Sequence, residues 1–494
     1  MYPFIFFIVL SFIFFAARLI PLYSYRLQGC DAYYFLLCSE KFRKTKKLPI
    51  VLEPYYLLEP AEQWYPPLFS IFLASLPEKI VNQYHWIINH TLDYFTLVLL
   101  FLITKKLTNL ELAIIVGLIY SFFGPVLLEF KSLTSRSLTI PIFILFLCSD
   151  YLWISGYNIG LVSSILFCLI LIFSHKLTMQ LIWFITLFLS ASYLTLDWVL
   201  PVIAAYCIGL LFFRNMLIKI IKAHLDIVKF WYKNWPLLGA HSIYQSRVYS
   251  KDKKNEDSHY KSLTFSEIMV QCKHIFHINY WIIFLAIGMW NFNSINPLQH
   301  FLMFFLIGIY ILVFLVTFLP FLRCFGMGIQ YIKYSYPVNL LFVALMINQN
   351  PSVLLYILAF ICILLSMLNY YSATKNLQLK LKSNNTVIGI TKEMHSIVSL
   401  INQLDQPRIY CLPYHLADFV AYHTRKQVLW GTHGYGFSKI GHLFPVLTKP
   451  IIDVIKQHSI THLLIDKRYC HPNVLNLTDV EKAYEDDNYL FLNL

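Results

Sequence analysis

The sequence predicts a mostly helical, polytopic membrane bundle of about eleven spans, followed by a small C-terminal α/β domain. Three observations carry that prediction. Of the 494 residues, 58% are hydrophobic and 17% aromatic. Only 13% are charged, about half the share usual in a soluble domain. After Tyr371 the long apolar runs stop and the composition turns polar.

A hydrocarbon core about 30 Å thick takes about 20 apolar residues of helix. Runs suited to that role lie near 2–20, 86–103, 110–128, 137–154, 157–174, 178–194, 197–213, 278–290, 301–320, 338–346 and 352–369. The first run lacks a basic leading segment and a small-x-small cleavage site, so it reads as a retained helix rather than a secretory signal. The whole chain is expected to be an integral multi-pass protein.

The net charge of +13 is spread among the connectors between spans. That distribution points to membrane topology and lipid headgroups, and not to a single basic face for nucleic acid. Ten cysteines are scattered, several within apolar runs, and none form a CxxC pair. They read as small core residues, neither a zinc site nor a disulfide framework.

The connector 104–109 carries Lys105 and Lys106, which places it on the cytoplasmic side. The long first loop, 21–85, then faces the opposite, extracytoplasmic side. Its apolar spacing predicts short interfacial helices near 32–43 and 67–76. A second long segment, 214–277, contains KDKKNEDS; span counting puts it outside and its lysines put it inside, and the sequence leaves both readings open.

The division expected from composition is a membrane domain over 1–371 and a soluble domain over 372–494. Within the latter, RIYCLP, QVLWGT, THLLID and YLFLNL read as strands. Helical spacing covers 392–404, 416–423 and 447–458. No internal repeat stands out, which weighs against an inverted-repeat transporter.

Chemistry-bearing residues gather in a few places. Asp31 follows the first span, inside QGCDAYYFLLCSEKFRKTKKLP; a carboxylate there suits a general base or a ligand for a divalent metal such as Mg or Mn. Further along the same loop come Glu53, Glu59 and Glu62, then QWYPPLF with Trp64 and Tyr65. The connector GPVLLEFKSLTSRSLTIP contributes Glu129, Lys131 and Arg136. FSHKLTMQ places His175 and Lys176 between apolar runs, and ionisable groups at such depth are functional candidates. Asn89, His90 and Asp93 form either a polar path or an interhelical hydrogen-bond cluster. LRCFGMGIQYIKYSYP offers Arg323 as a lipid-phosphate contact, and LWGTHGYGFSKIGH offers His433 and Tyr435 on a glycine-rich turn.

Asp31 just beyond the first span, the aromatic segment that follows it, and the Trp64–Pro67 element leading into the next helix occur in the order found in one superfamily. The first loop resembles that of the GT-C membrane glycosyltransferases, which include the oligosaccharyltransferase catalytic subunit and the protein O-mannosyltransferases. The resemblance implies an inverting transfer of sugar from a polyprenyl-phosphate donor to an extracytoplasmic glycan, lipid or protein acceptor, in a bacterial plasma membrane. On that reading Asp31 and Glu129 are the catalytic acids. Lys131, Arg136, His175, Lys176 and Arg323 would meet the donor phosphate. Tyr33, Tyr34, Trp64, Tyr65, His433 and Tyr435 would meet the acceptor or sugar. The WWDYG motif of oligosaccharyltransferases is absent from the sequence. A flippase of lipid-linked glycans and a polysaccharide polymerase or ligase are the competing readings.

Overall fold

The structure is a computed structural model that describes residues 2–23, 29–53, 55–58, 62–249, 264–290, 295–383, 391–431, 436–477 and 480–494. The chain divides into two compact units. One comprises Met1–Arg26, Tyr84–Leu217 and Phe265–Ser383; the other comprises Leu27–Gln83, Ile218–Thr264 and Asn384–Leu494. The first loop and the C-terminal segment thus fall into one unit. The boundary expected after Tyr371 lies inside a helix, Val353–Ser383.

Through the first half of the chain the helices are α1 (Tyr2–Leu19), α2 (Cys30–Thr45), α3 (Leu68–Ser75), α4 (Glu78–Leu107), α5 (Leu110–Ser121), α6 (Gly124–Glu129) and α7 (Arg136–Ile154). Among the described residues five helices are long and apolar enough to cross a membrane: Glu78–Leu107, Arg136–Ile154, Leu200–Leu237, Pro297–Phe318 and Val353–Leu379. A sixth arises if Phe265–Ile278 and Tyr280–Trp290, bent by 91°, count as one span. The expected eleven is therefore too many by this criterion. Several apolar runs, including Leu110–Ser121 and Asn158–Ile172, fold into helices of 10–17 residues, shorter than the roughly 20 a straight crossing needs.

Local sequence sets the helix ends. Asn109 caps α5 by accepting the Leu112 N–H at 2.9 Å. Asn296 and Gln299 form a reciprocal capping box around Pro297 at the start of Pro297–Phe318. The result in the first unit is a set of helices whose ends are fixed by polar side chains, leaving short connectors to carry chemistry.

In the second unit α2 and α3 occupy the positions expected for interfacial helices. Arg43, in the basic run of α2, donates to the carbonyls of Leu73 at 3.1 Å and Leu76 at 3.0 Å. It satisfies acceptors that the end of α3 leaves free. A two-stranded pair, β1 (Ile50–Val51) and β2 (Glu62–Gln63), lies between these helices.

The C-terminal segment forms a mixed five-stranded sheet from β3 (Arg408–Leu412), β4 (Gln427–Val428), β5 (His462–Asp466), β6 (Glu481–Glu485) and β7 (Tyr489–Asn493). Its order is β4-β3-β5-β7-β6, parallel through β3 and antiparallel around β7. Four of these strands coincide with sequence expectations. β6 was not expected, because its residues Glu481 to Glu485 are mostly exposed and charged, and it lies at the sheet edge.

Candidate active site

The sharpest constellation in the first unit centres on Glu129, the last residue of α6. Its carboxylate forms ion pairs with Arg136, the first residue of α7, and with Lys333. The three side chains are 10%, 15% and 19% exposed, so the cluster is partly buried yet reachable. In these two ion pairs one carboxylate meets two cations, a balance that favours an added anion. Burial and the Arg136 guanidinium pull the Lys333 ammonium down to about 8, against the opposing pull of Glu129.

Lys333 is flanked by Tyr334 and Tyr336, and Glu129 acts electrostatically on both. Tyr334 shares a hydrogen bond with Thr139 at 3.2 Å. The Tyr336 hydroxyl is buried without a hydrogen-bond partner in the described structure. It is a donor still to be satisfied, within the electrostatic reach of Glu129.

The backbone around Glu129 is tied to α4 and α1. Asn89 donates to the carbonyls of Phe130, at 3.4 Å, and Ser132, and it accepts from the Thr134 N–H at 3.3 Å and the Ser137 hydroxyl at 2.9 Å. Arg18 donates to the carbonyls of Tyr120 at 2.8 Å and Phe123 at 3.3 Å and pairs with Asp93 at 3.3 Å. Asp93 also accepts from the Tyr120 hydroxyl at 2.5 Å. Of the two readings open for Asn89, His90 and Asp93, the interhelical hydrogen-bond cluster matches the contacts of Asn89 and Asp93, whereas both ring nitrogens of the buried His90 lack a hydrogen-bond partner among the described residues.

The other residues expected at a donor phosphate have the following settings. Lys131, in the connector itself, is half-buried. His175 is buried and caps the helix Lys176–Tyr193 by accepting the Leu177 N–H at 3.2 Å; Lys176 is that helix's first residue. Arg323 is buried and donates to the Thr317 carbonyl at 3.2 Å. Within its segment it is Lys333, ten residues later, that meets Glu129. Sequence spacing could not single out Lys333, because its partner lies 204 residues away.

In the second unit Asp31 occupies the first turn of α2 and is half-buried, where a carboxylate is favoured by the helix dipole. Tyr33 and Tyr34 are buried, at 7% and 1% exposure. The Tyr33 ring meets Phe419, Tyr422 and His423 at 5.2, 5.7 and 5.4 Å, and burial pushes its phenol up. Tyr34 meets Phe35 and Tyr65 at 5.5 and 6.2 Å. The pair thus fastens α2 to the helix Ala417–Thr424 and to the Tyr65 turn. Glu40 adds an ion pair to Arg425 at 2.5 Å.

Trp64 is buried, donates to Glu62 at 2.9 Å and carries the Lys219 ammonium over its ring at 4.4 Å. Glu59, His433 and Tyr435 lie outside the described residues. Among those described, no three His, Cys, Asp or Glu side chains gather into a group able to hold a metal ion. They do not complete the ligand set that Asp31 alone suggested.

No protein-family model and no curated protein matches the chain. Solved structures do match in fold. An Archaeoglobus fulgidus oligosaccharyltransferase tethered with an acceptor peptide containing the NVT sequon aligns at TM-score 0.60 and 10% identity, over 96% of this chain and 70% of that one. The same enzyme in complex with zinc and sulfate aligns at TM-score 0.53 and 9% identity, over 93% and 68%. ArnT from Cupriavidus metallidurans bound to undecaprenyl phosphate aligns at TM-score 0.55 and 10% identity, over 99% and 97%. The fold is GT-C-like over nearly the whole chain, and the candidate spans make it an integral multi-pass membrane protein.

Proposed function

We propose that this chain is a membrane glycosyltransferase that takes a sugar from a polyprenyl-phosphate donor and passes it to an extracytoplasmic acceptor. The observation that carries the proposal is the Glu129, Arg136 and Lys333 cluster, with two cations on one carboxylate and an unsatisfied Tyr336 hydroxyl beside it. It lies within a fold like that of ArnT, whose structure holds undecaprenyl phosphate.

The chemistry follows from charge. When the bond between the anomeric carbon and the phosphate oxygen breaks, its electron pair stays on that oxygen and negative charge builds there. Arg136 and Lys333 stabilise this charge, and Glu129 holds the two cations together. The acceptor attacks the anomeric carbon from the opposite face, which inverts it. Asp31 is the proposed base for the acceptor's proton, a role open to a half-buried carboxylate.

The experiment is transfer of labelled sugar from a panel of polyprenyl-phosphate sugars by purified protein in lipid, with membrane extract as acceptor. Transfer that is lost in Lys333→Ala and Asp31→Asn supports the proposal. Donor binding or translocation without transfer by the wild type would favour a flippase instead.

A further inference from the structure

We propose that Asn89 and Asp93 are positioning residues, which hold the two ends of the connector that presents Glu129 from a single face of α4. The inference rests on the reading of the Glu129 cluster as the donor-phosphate site, and it adds what sets that site's geometry.

Residues four apart on a helix share a face. Asn89 and Asp93 are such a pair, both buried, at 1% and 0% exposure. The connector between α5 and α7 is short and would otherwise have to place Glu129 through its own backbone alone. At its entry, Asp93 fixes the Arg18 guanidinium, which in turn holds the Tyr120 and Phe123 carbonyls just before α6 begins. Asp93 also takes the Tyr120 hydroxyl directly. At its exit, Asn89 holds Phe130, Ser132, Thr134 and Ser137.

The Asn89 amide has two donor hydrogens and an oxygen with two lone pairs. Two carbonyls take the donors, and the Thr134 N–H and Ser137 hydroxyl take the lone pairs. Those four partners span the stretch from the residue after Glu129 to the residue after Arg136. The amide therefore sets where both members of the ion pair leave the backbone. A hydrophobic residue of similar size could not do this, because it would take this partner from the Phe130 and Ser132 carbonyls and the Thr134 N–H, while the Ser137 hydroxyl keeps only the Thr134 carbonyl at 2.9 Å.

A clamp and a mere stabiliser make different predictions. Asn89→Ala should lower kcat/KM by at least about tenfold, chiefly through kcat as in Glu129→Gln, a loss on the scale of one well-placed interaction. Leu97→Ala is the control. Leu97 lies two turns along the same helix, is fully buried, and has an apolar side chain that makes none of the connector hydrogen bonds above. Its truncation loosens α4 without releasing the connector.

The two variants are compared at temperatures equally far below their apparent unfolding points, with Glu129→Gln alongside. The clamp is supported if Asn89→Ala loses kcat/KM on that scale, with the kcat-against-KM split of Glu129→Gln, and Leu97→Ala does not. Equal losses in Asn89→Ala and Leu97→Ala, with Glu129→Gln impaired, would overturn the clamp and leave the site reading standing. Full activity in Glu129→Gln would overturn the site reading, and the clamp with it.

Discussion

Lys333 reaches the Glu129 carboxylate across 204 positions of sequence, and Arg136 reaches the same carboxylate from the start of the next helix. A single acid thus holds two cations that would otherwise repel one another. Such an arrangement is expensive to build in a partly buried place unless something uses the second cation. On the proposed function a donor phosphate does so, and three expectations follow from where each charge sits.

Glu129→Gln keeps the size of the side chain and removes the charge that holds Arg136 and Lys333 together. The cations remain, so the donor is still attracted, but they no longer converge on one point. At pH 6.5, where Lys333 keeps its proton, we expect kcat to fall at least about tenfold while donor KM moves much less. Steady-state kinetics with labelled donor checks this, and an unchanged kcat would reduce Glu129 to a structural ion pair.

Lys333 supplies a pH dependence. Its ammonium is held down to about 8 by burial and by Arg136, so the charged form is complete well below that pH and is lost as pH rises through it. Affinity for the donor phosphate should therefore fall between pH 7 and 9. In Lys333→Arg the fall should disappear from that range, since a guanidinium keeps its charge. Binding of undecaprenyl phosphate measured across that range, for both proteins, is the test. A flat wild-type curve would remove Lys333 from the phosphate site.

Some of this was legible in the sequence and some was not. Glu129 and Arg136 stand within one connector, so their charges could be read together; Lys333 enters only through the packing of distant helices, which one sequence does not reveal. Arg323 looked the better candidate in its segment because it is an arginine beside glycines, yet it is buried against Thr317. The resemblance of the first loop put Tyr33 and Tyr34 at the acceptor or sugar site. In the structure both rings are buried, Tyr33 against Phe419 and Tyr34 against Tyr65, which is packing between segments distant in sequence. The strands of the C-terminal sheet were readable wherever they are apolar, as in β3, β5 and β7. β6 escaped because an exposed edge strand carries little hydrophobic signal.

Asp31 separates binding from chemistry. It lies in the first turn of α2, half-buried, so Asp31→Asn should leave the helix and the protein folded. If Asp31 is the base, transfer falls by about 10²-fold or more while undecaprenyl phosphate still binds. Normal transfer by a folded variant would end that assignment.

Gly431 gives a test of how the first loop and the C-terminal sheet are joined within their unit. The Tyr56 hydroxyl donates to the buried Asp418 carboxylate, and a Cβ on Gly431 would run into both of these groups. Neither can retreat without breaking their hydrogen bond, so Gly431→Ala should destabilise by about 1–3 kcal/mol, the usual cost of overpacking. Tyr56→Phe also destabilises, through the loss of that bond. The two losses should not add, because Tyr56→Phe removes one of the atoms that the new methyl strikes. A double-mutant cycle on apparent unfolding temperature reads this directly: the Gly431→Ala penalty should shrink in the Tyr56→Phe background. An undiminished penalty would mean that Asp418 and the Tyr56 ring carbon, which Tyr56→Phe keeps, set the limit, and that the Tyr56 hydroxyl contributes nothing to the tightness of the joint.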